Sequence, residues 1–192
     1  MNDTRFIMPK EMNLVFWIGI GGAIILVAGS AWPDTKSKPY TSIRNWLLAL
    51  GGLFLLVYAW LNYLNGGSVF FVFLEGLINV ASICMMLGTR EKVSTSLISV
   101  LAFLLILWSL SIFEGYDTLF FILGLSGISL GYVLKPQTAR RNLSLMLGSI
   151  LVALFSFFEA SWIFFWLNVF FAIFSGYYAW KWRRKGKGNI KY

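Results

Sequence analysis

Histidine is absent, cysteine occurs once and charged residues make up only 12% of the chain, where a soluble domain carries about 25%. The single Cys84 excludes an internal disulfide framework. One thiol without histidine also leaves no ligand set for zinc or haem. Glutamine occurs once, at Gln137, and the apolar runs over 46–64 and 142–158 contain no proline. There is no phosphate-binding glycine loop, no pair of carboxylates for acid–base work and no Ser/His/Asp set. These gaps argue against an enzyme, and no cofactor is expected.

What the chain has in quantity is apolar surface. Hydrophobic residues make up 58%, with 18 Phe, 9 Trp and 8 Tyr among 192 residues. They fall into seven runs, 13–32, 46–64, 69–88, 96–113, 118–134, 142–158 and 161–181. Runs of this length match a hydrocarbon core of about 30 Å. Backbone groups in lipid must be satisfied within the segment, so each run is predicted to be a helix. The connections are short, which makes successive helices antiparallel. The first run has no small-residue cleavage pattern and reads as a span rather than a signal peptide. The fold class expected is all-α: a polytopic membrane protein with seven transmembrane helices.

Charge gives the orientation. With seven spans, one face of the membrane receives Lys36, Lys38, Arg44, Arg90, Lys92, Lys135, Arg140, Arg141, Lys181, Arg183, Arg184, Lys185, Lys187 and Lys191. The other receives Arg5 and Lys10, along with Glu114, Asp117 and Glu159. Basic loops stay cytoplasmic, so the N-terminus is expected outside and the C-terminus in the cytoplasm, in a bacterial inner membrane. The net charge of +8 then reflects topology, and no nucleic-acid partner is expected.

The chain also resembles itself. Trp32-Pro33-Asp34-Thr35 ends the first run and Lys135-Pro136-Gln137-Thr138 ends the fifth. Arg44-Asn45 and Arg141-Asn142 open the second and sixth, and Leu50-Gly51-Gly52 and Leu147-Gly148-Ser149 follow at the same offset. In the third and seventh runs, Phe71, Leu74, Glu75 and Ser82 stand 93 positions before Phe164, Leu167, Asn168 and Ser175. This pattern predicts two parallel three-helix repeats joined by a linker helix, with a solute site between them near the midplane. The organisation expected is an outer segment 1–12, repeat 1 over 13–88, a loop and linker helix over 89–113, repeat 2 over 114–181 and a basic tail 182–192.

Pro33-Asp34, Pro136-Gln137, Asn168-Val169 and the run from Gly176 to Arg183 resemble the PQ-loop superfamily, whose larger members share the three-plus-one-plus-three layout. SWEET-type sugar facilitators are similar in layout and in the Asn of the last helix. PnuC-type transporters of nicotinamide riboside and related vitamin precursors are similar at the helix ends. The resemblance implies a membrane transporter, a facilitator of a vitamin precursor, nucleoside or sugar that works by rocking of two helical repeats. A non-transporting accessory membrane protein of the same fold is the alternative.

Glu75 is the one carboxylate well inside an apolar run, and an ionisable residue there is a functional candidate by default. Asn79 and Ser82 follow on the same helical face. The stripe either lines a pathway, with Glu75 meeting a hydroxyl, an amine or a proton, or bonds to a neighbouring helix. Asn168 and Ser175 form the matching pair in the last run, with the same two readings. Most aromatics lie near helix ends and fit an interfacial belt. Tyr58 and Trp166 lie deeper and join the candidate substrate-binding set. Pro33, Pro136 and Gln137 either end their helices or form a gate hinge. The partners expected are a small solute and the lipid bilayer, and self-association is left open.

Overall fold

The computed structural model describes residues 10–32, 42–113, 115–135 and 137–188, with side-chain surroundings described between Leu14 and Arg184. Pro33, Asp34 and Pro136 therefore lie outside the described residues. Among those described, all regular structure is helical: α1 (Lys10–Ala31), α2 (Ile43–Leu64), α3 (Phe70–Leu87), α4 (Glu91–Ser111), α5 (Tyr116–Val133), α6 (Ala139–Phe158) and α7 (Trp162–Gly188). Each is long and apolar enough to cross a membrane.

The helices outrun the apolar segments where polar residues favour helix outside the apolar stretch. The α2 helix takes in Arg44 and Asn45. The α4 helix starts at Glu91, whose acid suits the positive end of the helix dipole. The Thr138 hydroxyl caps α6 by accepting from the Arg141 backbone N–H at 3.2 Å. The α7 helix runs on through Lys181, Arg183 and Arg184, so the segment expected as a separate tail begins as helix. Turns are tight. Gly66 (φ 89°) follows α2 and Gly88 (φ 61°) caps α3, both in the left-handed region that glycine enters without strain.

Short connections make chain neighbours packing neighbours. Each helix packs on the next, and α7 closes on α1. The α4 helix lies against both α3 and α5, which also meet each other. The tightest crossings use glycine. A Cβ on Gly51 of α2 would lie 2.6 Å from the Leu26 backbone N of α1. A Cβ on Gly148 of α6 would lie 2.6 Å from the Ile128 backbone N of α5. Small residues at such points let helix backbones approach closely. The Ser144 hydroxyl adds a bond across α5 and α6, donating to the Gly127 carbonyl at 2.8 Å.

The core is aromatic at one level. Tyr58, Phe70, Phe71, Phe121, Phe155 and Phe164 are all buried. Outward faces carry Leu, Ile, Phe and Trp instead of charge, as on α4 with Val100, Phe103, Leu104, Leu107 and Leu110 exposed. This inversion of the soluble pattern is what lipid as solvent favours.

Candidate functional site

A cavity of about 440 Å³ enters the bundle from the end that carries the basic loops. Around its mouth stand Ser42 and Arg44 at the start of α2, Thr89 after α3, Glu91 at the start of α4, and Arg141 and Asn142 at the start of α6. Deeper in, α3 contributes Glu75, α6 Ser149, α7 Leu167, Asn168 and Ser175, and α5 Ile128 and Tyr132. The site thus draws on helices from both halves of the chain.

Glu75 is 1% exposed. Its Oε2 is shielded from solvent and meets no hydrogen-bond partner among the described residues. An ionised carboxylate held this way is strongly disfavoured unless something compensates it. Asn168 is 7% exposed, and its amide donates to the Phe164 carbonyl of its own helix at 2.9 Å. An amide has two donors and a carbonyl acceptor, so hydrogen-bonding capacity remains for a solute. Tyr132 shares the cavity lining with Arg141, Glu75 and Arg44. The Arg141 guanidinium reaches the Met85 sulfur at 3.8 Å, which places its tip on the cavity-lining stretch of α3.

Beyond the Glu75 and Asn168 end of the cavity lies a cluster of rings. Phe71 and Phe164 lie one helical turn beyond Glu75 and Asn168 and stack face to face, 4.2 Å apart with planes at 2°. Phe155 meets Phe71 at 5.3 Å and Phe121 at 5.1 Å, and Tyr58 meets Phe164 at 5.5 Å. Interlocked aromatic faces pack densely. Among the described residues, the loop and helix-start residues that line the cavity stand at the basic end.

The residues singled out from the sequence divide into three groups. Glu75, Asn168 and Ser175 line the cavity. Asn79, Ser82 and Tyr58 are buried beside it without lining it. The Asn79 amide donates to the Glu75 carbonyl at 2.8 Å and packs on Gly52, and Tyr58 belongs to the aromatic plug. Trp166 is 55% exposed and borders an apolar groove between α1 and α7 on the outer surface. Gln137 is exposed with φ 60°, next to Pro136, which is outside the described residues.

Sequence reasoning passed over Arg44, Arg141, Tyr132 and Ser149 as cavity residues. The two arginines carried a signal, since they occupy equal positions in the two halves and precede apolar runs directly. Tyr132 carried none, because a tyrosine near a helix end is ordinary in a membrane protein. No family model, curated protein or solved structure matches the chain.

Proposed function

We propose that the chain is a multi-pass inner-membrane transporter, a facilitator for a small polar solute of the vitamin-precursor, nucleoside or sugar class. The observation that carries this reading is the one-sided cavity. It leads from the basic end to Glu75 and Asn168 and stops at the Phe71–Phe164 stack. That is the shape of a carrier open to one side, and carriers expose a central site to each side in turn. With the basic loops in the cytoplasm, the open side is the cytoplasmic one.

Movement is assigned to two parallel three-helix units, α1–α3 and α5–α7, with α4 as linker. Burial supports the pairing. In α2 the buried residues are Gly51, Gly52, Leu55, Tyr58 and Ala59. The residues 97 positions later, Gly148, Ser149, Val152, Phe155 and Ser156, are buried in α6. In α3, Phe70, Phe71, Leu74, Glu75, Asn79 and Ser82 are buried. Ile163, Phe164, Leu167, Asn168, Ala172 and Ser175, 93 positions later, are buried in α7. At one place the residue types differ: Gly52 lies beside Asn79 in the first unit, and the residues at the equivalent positions of the second are Ser149 and Ala172. The Phe71–Phe164 stack pairs two equivalent residues, as a pseudo-two-fold axis would. The reading assigns no catalytic group.

The test is uptake into liposomes together with a thermal-shift panel of nucleosides, vitamin precursors and sugars. A ligand at about 100 times its Kd stabilises the folded state by about 2.7 kcal/mol. One chemical class is expected to raise Tm and to enter the liposomes, and Asn168→Ala is expected to lose both effects while keeping its fold. Protein that takes up no member of the panel and gains no stability from any would instead support the accessory reading.

A further inference from the structure

The cavity is electrically polar along its length. Its mouth carries two guanidinium groups, Arg44 and Arg141, and among the described residues one carboxylate, Glu91, lines the same region. Its floor carries one carboxylate, Glu75, whose Oε2 is shielded and has no hydrogen-bond partner among the described residues. The Arg141 tip touches Met85, and Met85 and Glu75 are ten residues apart on α3, which is roughly 15 Å along a helix.

These features select a kind of solute. An unpartnered, shielded carboxylate oxygen calls for a donor, and a positively charged nitrogen supplies both the hydrogen bond and the opposite charge. A solute that is a cation overall, however, meets like charge at the mouth. A neutral solute offers no charge that would favour the ionised form of a carboxyl buried in this way. A solute with a cationic nitrogen at one end and an anionic group several bonds away meets opposite charge at both ends.

Building on the transport reading, we propose that the cavity takes an elongated zwitterion, its cationic nitrogen against Glu75 and its anionic group toward Arg44 and Arg141. Asn168, on the facing helix, supplies a neutral hydrogen bond that aligns the solute beside Glu75. Tyr132 lines the same cavity.

The experiment uses the purified full chain and four probes built on one six-carbon chain: ε-aminocaproate, its amide, its N-acetyl derivative and the N-acetyl amide. They are respectively zwitterion, cation, anion and neutral molecule. Thermal shift and competition against the uptake of any transported panel solute are read for each. The zwitterion is expected to give the largest shift. Glu75→Gln keeps the shape and a hydrogen-bonding amide but removes the charge, and is expected to abolish the zwitterion's advantage over the anionic probe. Arg44→Gln combined with Arg141→Gln is expected to abolish its advantage over the cationic probe. Equal shifts from zwitterion and neutral probe, or a zwitterion shift unchanged in Glu75→Gln, would overturn the proposal while leaving transport of another solute class intact. A protein that responds to no probe and transports no panel solute would overturn both.

Discussion

At the scale of single residues, Phe71 and Phe164 bear most directly on function. Their faces stack at 4.2 Å between the cavity and the opposite end of the bundle, and both are buried. Truncating a buried phenylalanine removes many packing contacts and leaves a void, at about 3–5 kcal/mol. Phe164→Ala is therefore expected to lower Tm in detergent and to make liposomes leaky to a small polar dye. Phe164→Leu, closer in volume, is expected to restore most of the stability and the seal. A Phe164→Ala protein as tight as the parent would show that the stack is not the barrier.

Glu75 shows why burial changes the meaning of a residue. In the sequence it is one acid among eight, distinguished by its apolar surroundings alone. That was enough to single it out, because an intramembrane carboxylate stands out in any linear reading. Arg44 and Arg141 did not stand out. A basic residue at the end of a membrane helix is already accounted for by topology, and a linear reading gives it no second role. Only the convergence of α2 and α6 on one opening shows that both also line the cavity. Trp166 differs again: its side chain is exposed and borders the apolar groove between α1 and α7 instead of the cavity.

At the scale of elements, the helix crossings carry the fold. Gly51 against Leu26 and Gly148 against Ile128 place backbone on backbone, so an added methyl has no flexible side chain to displace. Gly51→Ala and Gly148→Ala are each expected to destabilise by about 1–3 kcal/mol, the usual cost of overpacking. Gly21 and Gly76 meet nothing within 4 Å. Their alanine variants are expected to be neutral or to stabilise by up to about 1 kcal/mol through helix propensity. Thermal unfolding of the four proteins separates these outcomes, and equal behaviour of all four would contradict the close crossings.

The exchange between Gly52–Asn79 and Ser149–Ala172 yields a sharper test of equivalence between the units. A Cβ at Gly52 would lie 3.1 Å from the Asn79 Oδ1, so Gly52→Ser should destabilise. Adding Asn79→Ala recreates the arrangement of the second unit and should recover stability, giving a coupling of about 0.5–3 kcal/mol in a double-mutant cycle. Strictly additive effects would count against equivalent packing.

At the scale of the whole molecule, the one-sided cavity and the charge distribution make a joint prediction about access. In a Cys84→Ser background, Ser175→Cys is expected to react with a membrane-impermeant thiol reagent from the side of the basic loops. Tyr58→Cys, within the plug, is expected to stay unreactive from both sides. A reporter fused at the C-terminus is expected to be active in the cytoplasm. Labelling of Ser175→Cys from the opposite side would reverse either the orientation or the open end, and the reporter distinguishes the two.

The sequence by itself determined the number of helices, their approximate spans and which loops carry the basic charge. Each of these depends on a run of neighbouring residues meeting one solvent, and lipid tests every run for length and polarity independently. It also marked Glu75 and Asn168, because polar groups are conspicuous in an apolar run. Tertiary structure alone decided which side chains share a space. The joining of Arg44, Arg141 and Tyr132 to Glu75 in one cavity, the stacking of Phe71 on Phe164 and the outward turn of Trp166 all depend on how each helix is rotated about its axis. That rotation is set by glycine contacts and interlocking rings between segments far apart in the chain, and an apolar helix facing lipid on one side and protein on the other carries little periodic polarity to reveal it.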